Sequence, residues 1–474
     1  MPPAALLAAA AVVPLPPAPA ALARFAGAPA HARPFVAAPI PRHPFMAANG
    51  RSNIHVDAFQ SDTNAGLGPL GVGGIARRSA DKGLRECASI AFDRRGRLVT
   101  VCVGLVGPQL QLIAPRTLAT LARYDLPPRP PGSGNPLTNF AGGGYFFLDD
   151  RDRAVIPTTT RHVRVVAVRG RRLVPRADID LTRAVAAGDQ VISALPDWRG
   201  RLWFASKAGV VGWVGRRGGR PHARALGEAI GNSFAVGPDG GVYVVTDAAL
   251  YRLVAGRDGG VRIAWRARYA NTGVRKPGQT ETGSGTTPTL MGGHLVAITD
   301  NADPMAVLVL DRRKGRRVCR VPVFARGASA TDQSLVATDR TIVVENNFGY
   351  SGPAATSGGR STTPGLTRVD VTPRGCRTVW RSREISPSAV PKLSLAAGLV
   401  YTYVKPPRRD GVDAWYLAAL DVRSGRTAFR VLGGAGSLFN NNFAPVTLGP
   451  DGTAYLGVLG GVVSWRDRRL TFAG

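Results

Sequence analysis

The sequence contains no H-E-x-x-H, no P-loop, no G-x-S-x-G and no C-x-x-C. Those absences remove the zincin, nucleotide-cradle, nucleophile-elbow and thioredoxin-type readings. Helical periodicity is almost absent as well, which argues against a bundle or a doubly wound α/β fold. After the first residues no apolar run approaches the ~18–20 residues of a membrane span. Lysine is scarce, occurring only at positions 82, 207, 276, 314, 392 and 405, so arginine supplies nearly all of the basic charge. Acidic residues number 31 against 61 basic ones, for a net charge of +30. The arginines stand singly or in pairs within turns, and no aromatic–basic pattern accompanies them. Specific nucleic-acid recognition is therefore not expected. An envelope polyanion, a glycan or an unknown small molecule remain as partner classes.

What is present begins with a short apolar stretch, AALLAAAAVV, followed by small-residue sites at Ala21–Ala23 and Ala30–Ala32. Residues 1–45 read as an export signal and low-complexity leader, and residues 46–474 as one domain. No Lys or Arg precedes Arg24, which departs from the usual leader. A secreted or extracytoplasmic monomer is expected.

The domain repeats. VLVLDRRKGRRVCRVPV, LTRVDVTPRGCRTVW and LAALDVRSGRTAFRV align as two strands joined by a turn. FAVGPDGGVYVVTD, PTLMGGHLVAITD and SLVATDRTIVVEN align as the two strands before them. Units fall near 84–126, 139–181, 190–227, 229–269, 283–324, 328–384, 388–433 and 440–467. Short strands with Gly, Pro and Asp turns at a period of about 45 residues predict an all-β propeller. Eight four-stranded blades fit. Seven remain open because the unit at 190–227 is short. The last unit lacks a full outer strand, and an N-terminal strand, NIHVDAF from Asn53 to Phe59, is expected to close the ring.

The turn running from Asp to Gly ahead of an outer strand that ends near Trp380 or Phe429 resembles the repeats of quinoprotein-like propellers. That resemblance implies the eight-bladed fold, which in some members binds pyrroloquinoline quinone. Those members carry an adjacent cysteine pair against the quinone. No Cys-Cys occurs here, so no quinone cofactor is expected.

Two strands end in clusters of oxygen-bearing side chains. ITDNADP carries Asp300, Asn301 and Asp303, and VVENNFGY carries Glu345, Asn346 and Asn347. In a four-stranded meander, the loop between strands two and three lies on the same face as the link to the next blade. Both clusters are therefore expected on one face, together with the long segments 270–285, 351–365 and 405–411. The residues leading into the innermost strands, including Asn232, Asp332, Gln333, Lys392 and Asn442, share that face. The expected ligand site is Asp300, Asn301, Asp303, Glu345, Asn346, Asn347, Asp332 and Asn442, with calcium on Asp300, Glu345 and Asn346 as the option for a hard cation. Candidate catalytic residues are His55, Asp57 and Asp62, because a histidine between two nearby carboxylates can serve as a general base.

Of the four cysteines, Cys87 and Cys102 flank the hairpin CASIAFDRRGRLVTVC. Pairing of Asp93 with Gly96 would set them directly opposite each other, and a disulfide is expected. Cys319 and Cys376 occupy equivalent outer-strand positions of neighbouring blades, which are expected to lie beyond the ~7 Å Cα limit without displacement. An even cysteine count in an exported chain still favours their oxidation. Three functions follow in order: a binding or scaffold propeller, a metal-dependent hydrolase or lactonase, and a quinone-dependent dehydrogenase. Whether the chain is an enzyme stays open at this level.

Overall fold

The computed structural model describes residues 12–104, 107–135 and 137–469. Eight antiparallel sheets form the blades of a ring. Blades 1 to 7 span residues 85–125, 147–180, 191–225, 235–268, 289–322, 336–382 and 392–435. The short unit at 190–227 is a complete blade, with an outer strand of four residues, His222–Ala225. Blade 8 is shared between the two ends of the chain. Its three inner strands lie within 446–467, and Ile75–Asp81 pairs antiparallel with Gly461–Asp467 as the outer strand.

Ring closure by an N-terminal strand is thus present, but the strand is Ile75–Asp81 and not Asn53–Phe59. The reason lies at the axis. Each innermost strand has one free edge, and its buried N–H groups need acceptors. The segment from Arg51 to Asn64 supplies them by winding through the channel. The carbonyls of Arg51, Ser52, Ala58, Phe59, Ser61 and Asp62 accept from Phe92, Leu148, Val236, Leu290, Ala337 and Leu393, at 2.7–3.1 Å. Those donors belong to the innermost strands of blades 1, 2, 4, 5, 6 and 7.

Burial follows distance from the axis. The second strand of blade 5, Leu295–Thr299, is buried throughout, whereas its outer strand, Arg317–Pro322, alternates exposed and half-buried residues. The same gradient makes inner strands read as continuous apolar runs and outer strands as alternating ones. Neighbouring blades pack through aromatic groups, as where Tyr403, Trp415 and Trp465 meet between blades 7 and 8. Many arginines are consumed locally. In blades 1, 2 and 3 the turn aspartates Asp93, Asp149 and Asp197 accept the N–H two residues on and bind Arg97, Arg153 and Arg201 at 2.5–2.7 Å.

The first eleven residues, which hold most of the expected export segment, lie outside the described residues. Beyond them the leader packs on the propeller. Leu15 and Leu22 are buried against blades 8 and 7, and Phe25–Gly27 adds a fifth strand outside blade 7.

Both cysteine pairs are bonded. At the turn the blade 1 hairpin runs one residue off the expected register, with Phe92 opposite Leu98. A bulge between Glu86 and Ser89 restores the alignment, and the Cys87 and Cys102 Cα atoms stand 3.9 Å apart. Cys319 and Cys376 are 5.8 Å apart, inside the bridging limit that sequence spacing argued against. The outer strands of blades 5 and 6 touch.

Candidate functional site

The loops between second and third strands and the links between blades share one face, and there the channel opens into a cavity of about 290 Å³. Its walls are mostly apolar, from Leu84, Val103, Phe140, Leu438, Phe443 and Leu459. Its floor includes Ile54 and His55 from the threaded segment. Polar groups come from positions just before the innermost strands, including Asn232, Asp332, Gln333, Ser334 and Asn442, together with Glu86 and Arg129.

Two of these groups have unused hydrogen-bonding capacity. Asp332 takes the Thr280 hydroxyl on Oδ2 at 2.7 Å, while its buried Oδ1 has no partner among the described residues. Burial pushes its carboxyl up to about 7. Arg129 donates from Nη2 to the Asn139 carbonyl at 2.8 Å, while its buried Nη1 has no partner among the described residues. Glu86 accepts the Asn442 N–H at 2.9 Å, and burial pushes its carboxyl up to about 8. The Tyr145 hydroxyl donates to Asn232 at 2.9 Å, and burial lifts its pKa well above the ordinary tyrosine value. An unpaired polar group in a buried wall costs free energy until a ligand or water reaches it.

The two acidic clusters do share the expected face, and most of their polar atoms hold loops, while buried Asn301 Oδ1 and Glu345 Oε2 have no hydrogen-bond partner among the described residues. Asp300 takes the N–H groups of Ala302 and Ala306 and binds Arg320 of its own outer strand at 2.7 Å. Asn301 ties down the 270–285 link by donating to Asn271, Val274 and Thr282. Asp303 accepts from the Gly327 N–H at 2.7 Å. Asn346 bridges Ala328, Ala330 and Phe348. Asn347 accepts from Thr331 and the Asp332 N–H and donates to Glu345. Glu345 is buried between blades 6 and 7, and burial pushes its carboxyl up to about 8. None of these six lines the cavity, whereas Asp332 and Asn442 do. Among the described residues, no group of three or more His, Cys, Asp or Glu side chains is placed to hold a metal ion.

The candidate catalytic residues divide. Asp57 caps its own turn, accepting from Phe59 and Ser61, and burial pushes its carboxyl up to about 7. His55 and Asp62 meet, with Nδ1 3.1 Å from the Asp62 carboxylate. Lys392, named beforehand only as a rim residue, holds the other oxygen of Asp62. Burial draws the Lys392 ammonium down from its ordinary value, and Asp62 opposes that shift. Ser334, Glu86, Arg129 and Tyr145 were not singled out from sequence. The one available signal was that Ser334 directly follows Asp332 and Gln333 in the lead-in to an innermost strand.

No known family profile matches the chain. Over 318 residues it is 29% identical to an uncharacterized protein of Archaeoglobus fulgidus, a match covering 59% of this chain and 61% of that protein, so the chain spans less than two thirds of this relative's length. The solved structures that resemble it include the following three. BamB from Moraxella catarrhalis superposes with a TM-score of 0.51 at 14% identity, covering 80% of this chain and 95% of BamB. The quinohemoprotein alcohol dehydrogenase of Comamonas testosteroni gives 0.58 at 11% identity, covering 88% and 81% respectively. A europium-containing methanol dehydrogenase gives 0.56 at 11% identity, covering 86% and 89%. At these identities the likeness shows the fold alone: an eight-bladed β-propeller.

Proposed function

We propose that this chain is an extracytoplasmic binding propeller whose ligand site is the closed channel mouth. The ligand is a small, largely apolar molecule that brings a hydrogen-bond donor to Asp332 and an oxygen acceptor or anion to Arg129. The carrying observation is the cavity of about 290 Å³ with apolar walls and two buried polar atoms, Asp332 Oδ1 and Arg129 Nη1, that no group among the described residues satisfies. A concave apolar pocket with a few placed polar groups is the usual form of a small-molecule site. A glycan or polyanion would meet mainly hydrocarbon there, so the small molecule is preferred. The two disulfides support an oxidising compartment.

The metal-dependent hydrolase has less support, because Arg320 and backbone groups engage Asp300 and Asn346, and because neither these two nor Glu345, which Asn347 holds through one oxygen, lines the cavity. A bound quinone has less support too, because no adjacent cysteine pair exists and no cysteine lines the mouth.

The test uses 8-anilinonaphthalene-1-sulfonate, which combines an apolar ring system, an N–H and an anion. Native protein should bind it saturably at one site. Val103→Trp, which fills the mouth, should abolish that binding, and Arg129→Ala should weaken it about tenfold, as expected for a charge-assisted hydrogen bond. Absence of saturable binding, or equal binding by the parent and Val103→Trp, would overturn the proposal.

A further inference from the structure

At the floor of the mouth, Ser334 Oγ stands 3.3 Å from His55 Nε2, while His55 Nδ1 stands 3.1 Å from Asp62. Ser334 and His55 both line the cavity. We propose that Ser334, His55 and Asp62 form a nucleophile–base–carboxylate relay that hydrolyses carboxylic esters with an apolar acyl or alkyl group. The inference rests on the mouth being the ligand site and adds a reaction to it.

The geometry fixes the roles. A carboxylate only accepts hydrogen bonds, so its contact puts the imidazole proton on Nδ1 and leaves Nε2 free to accept from Ser334. The Asp62 N–H donates to the His55 carbonyl at 3.2 Å, which folds the segment back and brings the two side chains together. Lys392, contacting Asp62 from the inner strand of blade 7, is a positioning residue. Asp57, Tyr145 and Asp332 are the other titratable groups around this centre. The backbone is strained beside it. Val56, Gln60 and Asp62 have φ of 81°, 58° and 54°. A β-branched residue at positive φ is rare, and such strain persists where the surrounding structure over-determines it.

The reaction needs only the ester and water. Ser334 Oγ attacks the carbonyl carbon while its proton passes to His55 Nε2, and the carbonyl π pair moves onto oxygen. Collapse re-forms the C=O bond and expels the alcohol, which takes the proton from Nε2. Water then attacks the acyl-serine, giving its proton to Nε2. The second collapse releases the carboxylic acid and returns the proton to Ser334.

Full-length oxidised protein is treated with a fluorophosphonate and mapped by mass, and hydrolysis of p-nitrophenyl butyrate is followed in parallel. The expected result is one adduct on Ser334. Ser334→Ala should lose the adduct and about 10³-fold or more of the hydrolysis. In Ser334→Cys, His55 should depress the thiol, so that iodoacetamide alkylation has a pH midpoint below the ordinary ~8.5. His55→Asn in that background should return the midpoint to the ordinary value. No adduct on Ser334, or parent-rate hydrolysis by Ser334→Ala, overturns the relay. If anilinonaphthalene-sulfonate still binds in that case, only the relay fails, whereas loss of both overturns the ligand site too.

Discussion

Glu86 holds its proton more tightly in the folded chain than in the unfolded one, because burial lifts its carboxyl up to about 8. The stabilisation this gives is complete below the unfolded value of about 4.3 and is lost as pH rises through the folded value. Asp332, lifted to about 7, acts in the same sense. Stability should therefore fall between about pH 5 and pH 8, by at most ~1.4 kcal/mol per pH unit for one group. Glu86→Gln keeps the acceptor for the Asn442 N–H and removes this dependence, so its melting temperature should decline less steeply than the parent's across that range. Parallel declines in calorimetric melts would count against a proton-holding Glu86. At this scale the sequence was partly legible. Asp332, Asn442, His55 and Asp62 could be named because their chemistry and their place in the repeat coincided. Ser334 could not, since serines are common and its partner His55 lies 279 residues away. Asp300 and Glu345 drew notice as oxygen-rich positions, but nothing near Asp300 revealed that Arg320, twenty residues on, already engages it.

Between blades, an outer-strand tryptophan docks on the turn of the next blade. The Trp380 indole donates to the Val422 carbonyl at 2.8 Å and lies flat over Gly425. A Cβ on Gly425 would stand 2.5 Å from the ring, and φ there is +71°. Trp265 repeats the arrangement, with its indole on the Arg312 carbonyl and its ring over Gly315. Gly425→Ala should therefore cost about 2 kcal/mol, from the clash and the left-handed backbone together. Trp380→Phe should cost about 1 kcal/mol through the lost hydrogen bond. Denaturant titrations check both, and a neutral Gly425→Ala would mean that the blade contact is looser than described. The Asp-to-Gly turn carrying this contact was the repeat signal visible in sequence. The closing strand was misplaced for a physical reason. Ile75–Asp81 lies at the rim and its sequence, IARRSAD, looks like a polar loop, while Asn53–Phe59 looks like a strand but serves the inner edges. The need of those edges for acceptors is a property of the assembled ring and leaves no local mark.

The whole ring is held shut at one seam. In blades 1 to 7 the outer strand follows the third strand in the chain, so it stays tethered when it frays. In blade 8 the outer strand, Ile75–Asp81, is joined to its partner, Gly461–Asp467, only through the rest of the molecule. Its release frees a segment tethered at both ends, by the channel-threading stretch up to Asn64 and by blade 1 from Arg85, and is opposed by its ladder, its contacts and the Asp467 carboxylate, which takes the N–H groups of Leu70 and Gly71 at 2.6 and 2.7 Å. Elsewhere a covalent staple supports the ring. The Cys319–Cys376 bridge joins blades 5 and 6 across 57 residues, a separation worth roughly 4 kcal/mol by chain entropy. The seam has no such staple, so it is where opening should begin. Ala80 is buried there beside Ile90 and Phe92 of blade 1. Ala80→Asp places an unpaired carboxylate among apolar side chains, which costs several kcal/mol or forces the strand out. The expected outcome is a lower melting temperature together with a van't Hoff enthalpy below the calorimetric one, as an open-ring state becomes populated. Amide exchange should rise first along Ile75–Asp81 and Gly461–Asp467. A variant that melts lower but stays two-state, with exchange raised equally in all eight blades, would show that the ring opens everywhere at once and that the seam is no weaker than the hairpin-closed blades.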